Sequence, residues 1–221
     1  MARIFLTFLV LILPPAVHAQ TAPDGKVDYV VKRNGEKIGA LKMEFRQEGN
    51  RLVVTSDYGI QIRLMSIVLY RYDKRMTETY EDGRLVGYAA KIDDNGGKSS
   101  VSAVPDGDGL TIMHRAGTVN APPGLYPSTY WPPETVNQTR LIDSSDGVLV
   151  DVKTEPVAEE NLKVDGRTLK AKRYRMTGDL ERDLWYAADG GEWLKMRMKA
   201  SDGSVIEIER DWPPVWKRGL L

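Results

Sequence analysis

Residues 51–80 read RLVVTSDYGIQIRLMSIVLYRYDKRMTETY, and this stretch decides the fold. Towards the end of its first half, Tyr58, Ile60, Ile62 and Leu64 alternate with Asp57, Gln61 and Arg63. In the second half Val68, Tyr70, Tyr72, Met76 and Tyr80 repeat the same every-other-residue pattern. A period of two is the signature of a strand with one face buried, so the stretch predicts two long facing strands, Arg51 to Leu64 and Ile67 to Tyr80. Strands of this length cannot remain flat, because each residue adds right-handed twist; the pair must curl round a core.

Working outward, the same pattern recurs between turn dipeptides. Asn34-Gly35, Asp82-Gly83, Asn95-Gly96, Asp106-Gly107, Asp146-Gly147, Asp165-Gly166, Asp189-Gly190 and Asp202-Gly203 all supply residues that tolerate the positive φ of a tight hairpin. Lys26 to Lys32 and Ile38 to Phe45 form a hairpin ahead of the central pair. Arg84 to Ile92, Ser99 to Val104 and Leu110 to His114 continue the meander after it. Strand pattern is interrupted from Ala116 to Asn137, where Pro122, Pro123, Pro127, Pro132 and Pro133 surround Tyr126, Tyr130 and Trp131. That proline density forbids a central strand, and the embedded aromatics predict an ordered loop packed over one end or edge of the sheet. Strands resume at Thr139 to Ile142, Val148 to Pro156, Leu162 to Val164, Thr168 to Thr177, Leu180 to Ala187, Glu192 to Ala200 and Ser204 to Asp211. The fold class is therefore all-β: a long antiparallel meander curled into a strongly bent sheet or open barrel, with one proline-rich loop. It forms a single domain over residues 26–211.

The N-terminus carries Arg3, a short apolar run from Ile4 to Leu13, Pro14-Pro15, and small residues at Val17 and Ala19. This reads as a signal peptide, residues 1–19, cleaved after Ala19. The run is about half of the ~20 apolar residues that a membrane span needs. Residues 20–25 are expected to be a flexible lead-in and residues 212–221 a tail. The expected destination is the periplasm, or the medium where there is no outer membrane, with no membrane span after cleavage. The chain contains no cysteine, so in an oxidising compartment its stability must come from burial. Lysine plus arginine and aspartate plus glutamate both number 31 and are interspersed, which argues against a nucleic-acid partner.

Chemistry-bearing patterns are sparse. Beyond the signal peptide His114 is the sole histidine, and Ser128 nearby lacks a nucleophile-elbow context, so no catalytic residue is assigned. One histidine and no cysteine do not make a zinc site. Asp93-Asp94-Asn95, Asp106-Gly107-Asp108 and Asp143 with Asp146 offer oxygen ligands without calcium-loop spacing, and such residues belong in hairpin turns. No metal or cofactor is expected. Tyr126, Tyr130, Trp131, Trp185 and Trp193 read first as core and second as the lining of a pocket for an apolar or sugar ligand.

The last third contains Tyr174-Arg175-Met176-Thr177-Gly178-Asp179-Leu180, Asp183-Leu184-Trp185-Tyr186, Gly191-Glu192-Trp193-Leu194 and Asp202-Gly203-Ser204-Val205-Ile206-Glu207. With Tyr29-Val30-Val31, Gly35-Glu36-Lys37-Ile38-Gly39, Tyr70-Arg71-Tyr72 and Asp93-Asp94-Asn95-Gly96, these runs resemble the DUF6134 family of bacterial exported proteins. Ala187-Ala188 departs from the resemblance, which would place an aspartate after the Trp-Tyr pair. The resemblance implies no activity. Shape analogy with carriers whose curved sheet shields a greasy ligand leads to the functional expectation: a non-catalytic exported protein that binds or carries an apolar or amphiphilic molecule. An envelope interaction or assembly factor is the first alternative and a hydrolase the second.

Overall fold

The computed structural model describes residues 25–212; the expected signal peptide and nearly all of the expected tail lie outside them. Alternation and turn chemistry together produce fourteen strands in one sheet. The first eight are β1 (Gly25–Arg33), β2 (Glu36–Glu48), β3 (Arg51–Leu64), β4 (Ile67–Glu81), β5 (Arg84–Asp94), β6 (Gly97–Asp106), β7 (Gly109–His114) and β8 (Gly117–Ala121). The proline-rich segment with a 3₁₀ turn (Pro133–Asn137) follows. The rest are β9 (Arg140–Ile142), β10 (Leu149–Val164), β11 (Arg167–Gly178), β12 (Arg182–Ala187), β13 (Trp193–Lys199) and β14 (Val205–Asp211). Asn34-Gly35, Asp82-Gly83, Asn95-Gly96 and Asp165-Gly166 have positive φ at both residues, the geometry that joins twisted strands without splaying them.

The strand order is β8-β7-β6-β5-β4-β3-β2-β1-β14-β13-β12-β11-β10-β9, every ladder antiparallel. Two meanders are thus joined by the pairing of β1 with β14, from Asp28 opposite Asp211 to Arg33 opposite Ile206. The sheet rolls until its two ends overlap. Tyr88 on β5 donates to the Ser144 carbonyl in the β9–β10 turn (2.5 Å). A Cβ at Gly147 in that turn would meet Val101 of β6 at 2.8 Å and Ile112 of β7 at 3.3 Å. No strand ladder closes β8 against β9, so the result is a rolled, barrel-like sheet with overlapping ends.

One apolar face lines the interior. Val27, Tyr29, Leu41, Phe45, Val54 and Tyr80 belong to a single buried cluster, and Tyr58 and Ile60 pack against it. Tyr29 and Trp193 meet with ring centroids 4.5 Å apart, which couples the two meanders across the seam. A smaller cluster lies on the opposite face, where Ala171, Trp185 and Leu194 are covered by Leu162, Leu169 and Trp212.

Three expectations are corrected. Gly117–Ala121 is a strand paired with β7, although it was assigned to the irregular region; its residues carry no proline and lie before Pro122. Val148 to Pro156 and Leu162 to Val164 are one continuous strand, β10, because the ladder with β11 absorbs Pro156 through a bulge between Pro156 and Ala158. The proline-rich segment borders an edge as expected, since Pro127 bridges Ile142 of the edge strand β9, but it is not confined there. Tyr126, Tyr130 and Trp131 pack onto the inner face, Trp131 against Phe45 (5.2 Å) and Tyr80 (5.4 Å), and Tyr130 against Trp193 (6.3 Å). A rolled sheet of this size leaves interior space that strand side chains alone do not fill, and the aromatics occupy it.

Close packing between strands makes one backbone position critical. A Cβ at Gly39 on β2 would lie 2.0 Å from the Gly59 carbonyl oxygen and 2.8 Å from the Ile60 Cα, both backbone atoms. Gly39→Ala is expected to cost ~1–3 kcal/mol in urea unfolding, as overpacking does. Gly87→Ala, where the nearest atom is 3.6 Å away, should unfold at the wild-type midpoint.

Candidate functional site

Where the proline-rich segment stops filling the rolled sheet, a cavity of about 310 Å³ remains. β3 and β4 supply one wall with Tyr58, Ile60, Tyr72 and Met76; Trp193, Met196, Met198 and Ile208 of β13 and β14 supply another. Polar groups enter from Lys74 on β4, from Ser128 and Thr129 of the proline-rich segment, from Asp143, Ser144 and Ser145 of the β9–β10 turn, and from Arg182.

Lys74 is the centre of the polar wall. Its Nζ donates to Ser144 Oγ (3.0 Å) and Ser145 Oγ (3.1 Å). Ser128 Oγ reaches Ser144 Oγ at 3.2 Å, and Tyr72 OH lies 3.4 Å from Ser145 Oγ. Burial brings the Lys74 ammonium down to about 8, with Asp143 and Glu78 pulling the other way. Two further polar atoms around the cavity are buried with no hydrogen-bond partner, Ser56 Oγ and Arg182 Nε. Unmet polar atoms of this kind are costly in a folded interior, and a bound group offering acceptors would satisfy them. Asp143 is the cavity's carboxylate, and its Oδ1 already accepts from the backbone N–H groups of Ser145 (2.7 Å) and Asp146 (3.3 Å). The local balance of Lys74 and Arg182 against Asp143 is cationic.

Below the cavity, Glu78 anchors the proline-rich segment. Its Oε2 accepts from Tyr80 OH (2.5 Å), Trp131 Nε1 (3.0 Å) and Thr129 Oγ1 (3.3 Å), while Oε1 has no partner. Burial raises its carboxyl to about 6, against the hydrogen bonds from Tyr80, Trp131 and Thr129 and the nearby Lys74. Tyr130 holds φ at 64°, a left-handed conformation that non-glycine residues seldom adopt, and its carbonyl accepts from Tyr186 OH at 2.7 Å.

The five aromatics singled out from sequence are divided by the structure. Tyr130 and Trp193 line the cavity. Tyr126 and Trp131 lie deeper, packed on Tyr80. Trp185 is on the outer face, with Arg173, Lys195 and Arg197 over its ring at 5.3, 5.6 and 5.5 Å. Behind it Asp183 takes ion pairs from Arg173, Arg175 and Arg197; burial would raise its carboxyl, and the three arginines outweigh that and hold it below the usual range. His114 makes no hydrogen bond to Ser128 among the described residues. No group of three acidic or histidine side chains there could hold a metal ion. Asp93 Oδ1 instead caps its own turn by accepting from Gly96 N–H (2.8 Å). Sequence reasoning missed Lys74 and Glu78, yet the signal was present. Both sit at the same parity of β4 as Tyr72, Met76 and Tyr80, which places two ionisable groups on the apolar face.

A broader groove of about 940 Å³ extends over the outer side of these strands. Several of its charges are paired among themselves, Arg75 with Asp57 and Arg71 with Asp73, as on a solvated sheet face.

The chain belongs to the family described as "Domain of unknown function (DUF6134)", whose sequence model matches residues 29–211. Among solved structures it is similar to the crystal structure of a β-barrel-like protein of domain of unknown function DUF1849 from Brucella abortus. The identity is 11%, the match covers 84% of this chain and 94% of that chain, and the TM-score is 0.58. At that identity the likeness shows the fold alone. No curated protein matches the sequence. Among the described residues no helix is long and apolar enough to cross a membrane.

Glu78 makes the stability of this region pH-dependent with a defined sign. Its folded pKa, about 6, lies above the ordinary 4.5, so the folded state holds the proton more tightly. That contribution is fully present below pH ~4.5 and is lost as pH rises through about 6, a change of ~2 kcal/mol. Glu78→Gln preserves an acceptor for Tyr80 and Trp131 and removes the titration. The difference in urea-unfolding free energy between wild type and Glu78→Gln should therefore change across pH 4.5–6 and be flat above about pH 7.

Proposed function

We propose that this protein is an exported, non-catalytic binding protein that holds an amphiphile in the rolled sheet, acidic head group on Lys74 and apolar portion along Ile60, Met76, Met196 and Ile208. The observation that carries the reading is the cavity's two-sidedness: an apolar wall faces Lys74 and the partnerless Ser56 Oγ and Arg182 Nε. A desolvated ammonium held by two serine hydroxyls is matched to a carboxylate or phosphate, because a charge-assisted bond in a low-dielectric site is stronger than one at the surface. The volume is at the small end of the ~300–1,000 Å³ typical of ligand sites, which suits a small amphiphile or one segment of a larger one. Export is supported by the N-terminal pattern of Arg3, the apolar run and Ala19.

One observation favours a hydrolase as the second reading. A lysine with a lowered pKa beside two serines is the pairing that activates a nucleophile. Against it, the backbone N–H groups of Ser144, Ser145 and Asp146 are already engaged, by Ser128 Oγ and Asp143 Oδ1. They therefore offer nothing to a developing oxyanion.

Dodecanoate and dodecanol separate the readings by calorimetry. Dodecanoate should bind wild type more tightly than dodecanol, and its affinity should fall as pH rises through about 8 and Lys74 loses its proton. Lys74→Met should weaken dodecanoate ~10-fold or more, the equivalent of ~1.4 kcal/mol, and abolish that pH dependence. Equal affinities for acid and alcohol, or an unaffected Lys74→Met variant, would remove the head-group assignment. A serine-directed fluorophosphonate should leave Ser144 and Ser145 unlabelled; labelling that disappears in Lys74→Met would establish the hydrolase instead.

A further inference from the structure

The β3–β4 hairpin outruns its neighbours. β2 pairs with β3 no further than Gly39 opposite Ile60, and β5 pairs with β4 no further than Asp94 opposite Tyr72. Residues 62–70 have strand partners only among themselves and project as a two-stranded finger. Its end is apolar and open to solvent: Leu64 is 61% exposed, Met65 94%, Ile67 65%, Val68 43% and Leu69 56%. Leu64 pairs with Ile67 on one face, Val68 pairs with Arg63 on the other, and Leu69 is the extra residue of a bulge. The finger is thus apolar on the Leu64–Ile67 face and at its apex, while its other face sets Val68 beside Arg63 and Gln61.

The turn is built against its own backbone preference. Met65 holds φ at 53°. Besides Tyr130 in the cavity wall, the other non-glycine residues with positive φ among the described residues are Asn34, Asp82, Asn95 and Asp165, the types that tolerate it. A large exposed thioether at a left-handed position gives the folded chain no burial in return, and unrewarded local strain of this kind marks function.

We infer that the β3–β4 tip docks on the surface of a lipid bilayer containing anionic head groups. Exposed apolar side chains gathered at an apex are accommodated by the upper acyl region of a leaflet, with the polar Arg63 and Gln61 behind them at its head groups. Charge complementarity supports the same partner. Between Asp57 and Asp73 the sequence has two arginines and no acidic residue; Arg71 pairs with Asp73, which leaves Arg63 as the charge of the finger. Arg63 lies directly behind Leu64 and spends its guanidinium on Gln61 Oε1 (2.9 and 3.2 Å) rather than on a carboxylate. One residue of strand is ~3.4 Å, so Arg63 reaches phosphate level when Leu64, Met65 and Ile67 enter the acyl boundary. The unpaired backbone edges of the finger keep insertion shallow, because such groups cannot be buried in hydrocarbon. This inference does not depend on the cavity holding a ligand.

Flotation with vesicles of phosphatidylcholine, with or without phosphatidylglycerol, tests it. Wild type should float with vesicles, more so with phosphatidylglycerol. A variant with Leu64→Thr, Met65→Asn and Ile67→Thr should lose ~10-fold or more of that binding. Its thermal unfolding should be unchanged or raised, since asparagine suits the turn and threonine the strands. Arg63→Gln should remove the preference for phosphatidylglycerol alone, and Lys74→Met should bind like wild type. These proteins share all other residues, so contributions from outside the finger cancel. Equal flotation of wild type and the triple variant would overturn the inference. So would a lipid-free dimer in analytical ultracentrifugation that the triple variant abolishes, combined with no vesicle binding.

Discussion

The pairing of β1 with β14 is the constraint on which the rest of this structure depends. Strands β1 to β8 and β9 to β14 are separate meanders, each made of local hairpins, and this ladder makes them one sheet. Its register is defended from both faces. Outside, Lys32 pairs with Glu209, which is shared with Lys195; at the end of the ladder Arg33 pairs with Asp202. Inside, Tyr29 lies against Trp193 and donates to its carbonyl at 3.1 Å. A slip of one residue would turn Tyr29 outward and bring Lys32 into the apolar interior, so the charged outer ladder and the aromatic inner contact enforce the same alignment.

Once the seam is fixed, the width of the rolled sheet sets an interior too large for strand side chains. The proline-rich segment solves this with few backbone hydrogen bonds of its own. Ser128 N–H donates to the Ile142 carbonyl and Ile142 N–H to the Tyr126 carbonyl, and the aromatics reach across to β2, β4 and β13. Glu78 receives the segment's polar atoms, Trp131 Nε1 and Thr129 Oγ1, that would otherwise be buried unpaired. The cavity is what this filling leaves open: most strand residues give it hydrocarbon, Lys74 of β4 and Arg182 of β12 give it cations, and the β9–β10 turn contributes hydroxyls and a carboxylate.

Much of this architecture was legible in the residues. Alternation fixed strand type throughout and sidedness where the strands are covered, at Leu52, Val54 and Ser56 and again at Met76, Glu78 and Tyr80. Tyr58, Ile60, Ile62, Tyr70 and Tyr72 are half-buried, and Leu64 and Val68, expected on the buried face, are exposed. Local turn chemistry fixed the hairpins. What could not be read is non-local. Pro156 interrupts the β10 pattern, and its tolerance depends on the β11 register. Trp185 and Trp193 share an aromatic character and adjacent strands, yet a bulge between Trp185 and Tyr186 and their opposite facing send one outside and one inside. Lys74 and Glu78 were visible by parity, yet nothing local singles them out. Their environment is created by Ser144 and Trp131, residues about 70 and 50 positions away.

The seam also imposes a timetable. β1 is made before every other strand of the sheet and β14 after all of them, so a nascent chain carries an open β1 edge until β14 arrives. The eight-stranded first half can form its hairpins early, but it has no lid for its greasy side until the second half arrives with Trp193 and Ile208. Such late, long-range pairing slows folding and leaves the polypeptide dependent on holding factors in the interval. The order of synthesis and the order of assembly are thus opposed, a delay conferred by topology alone.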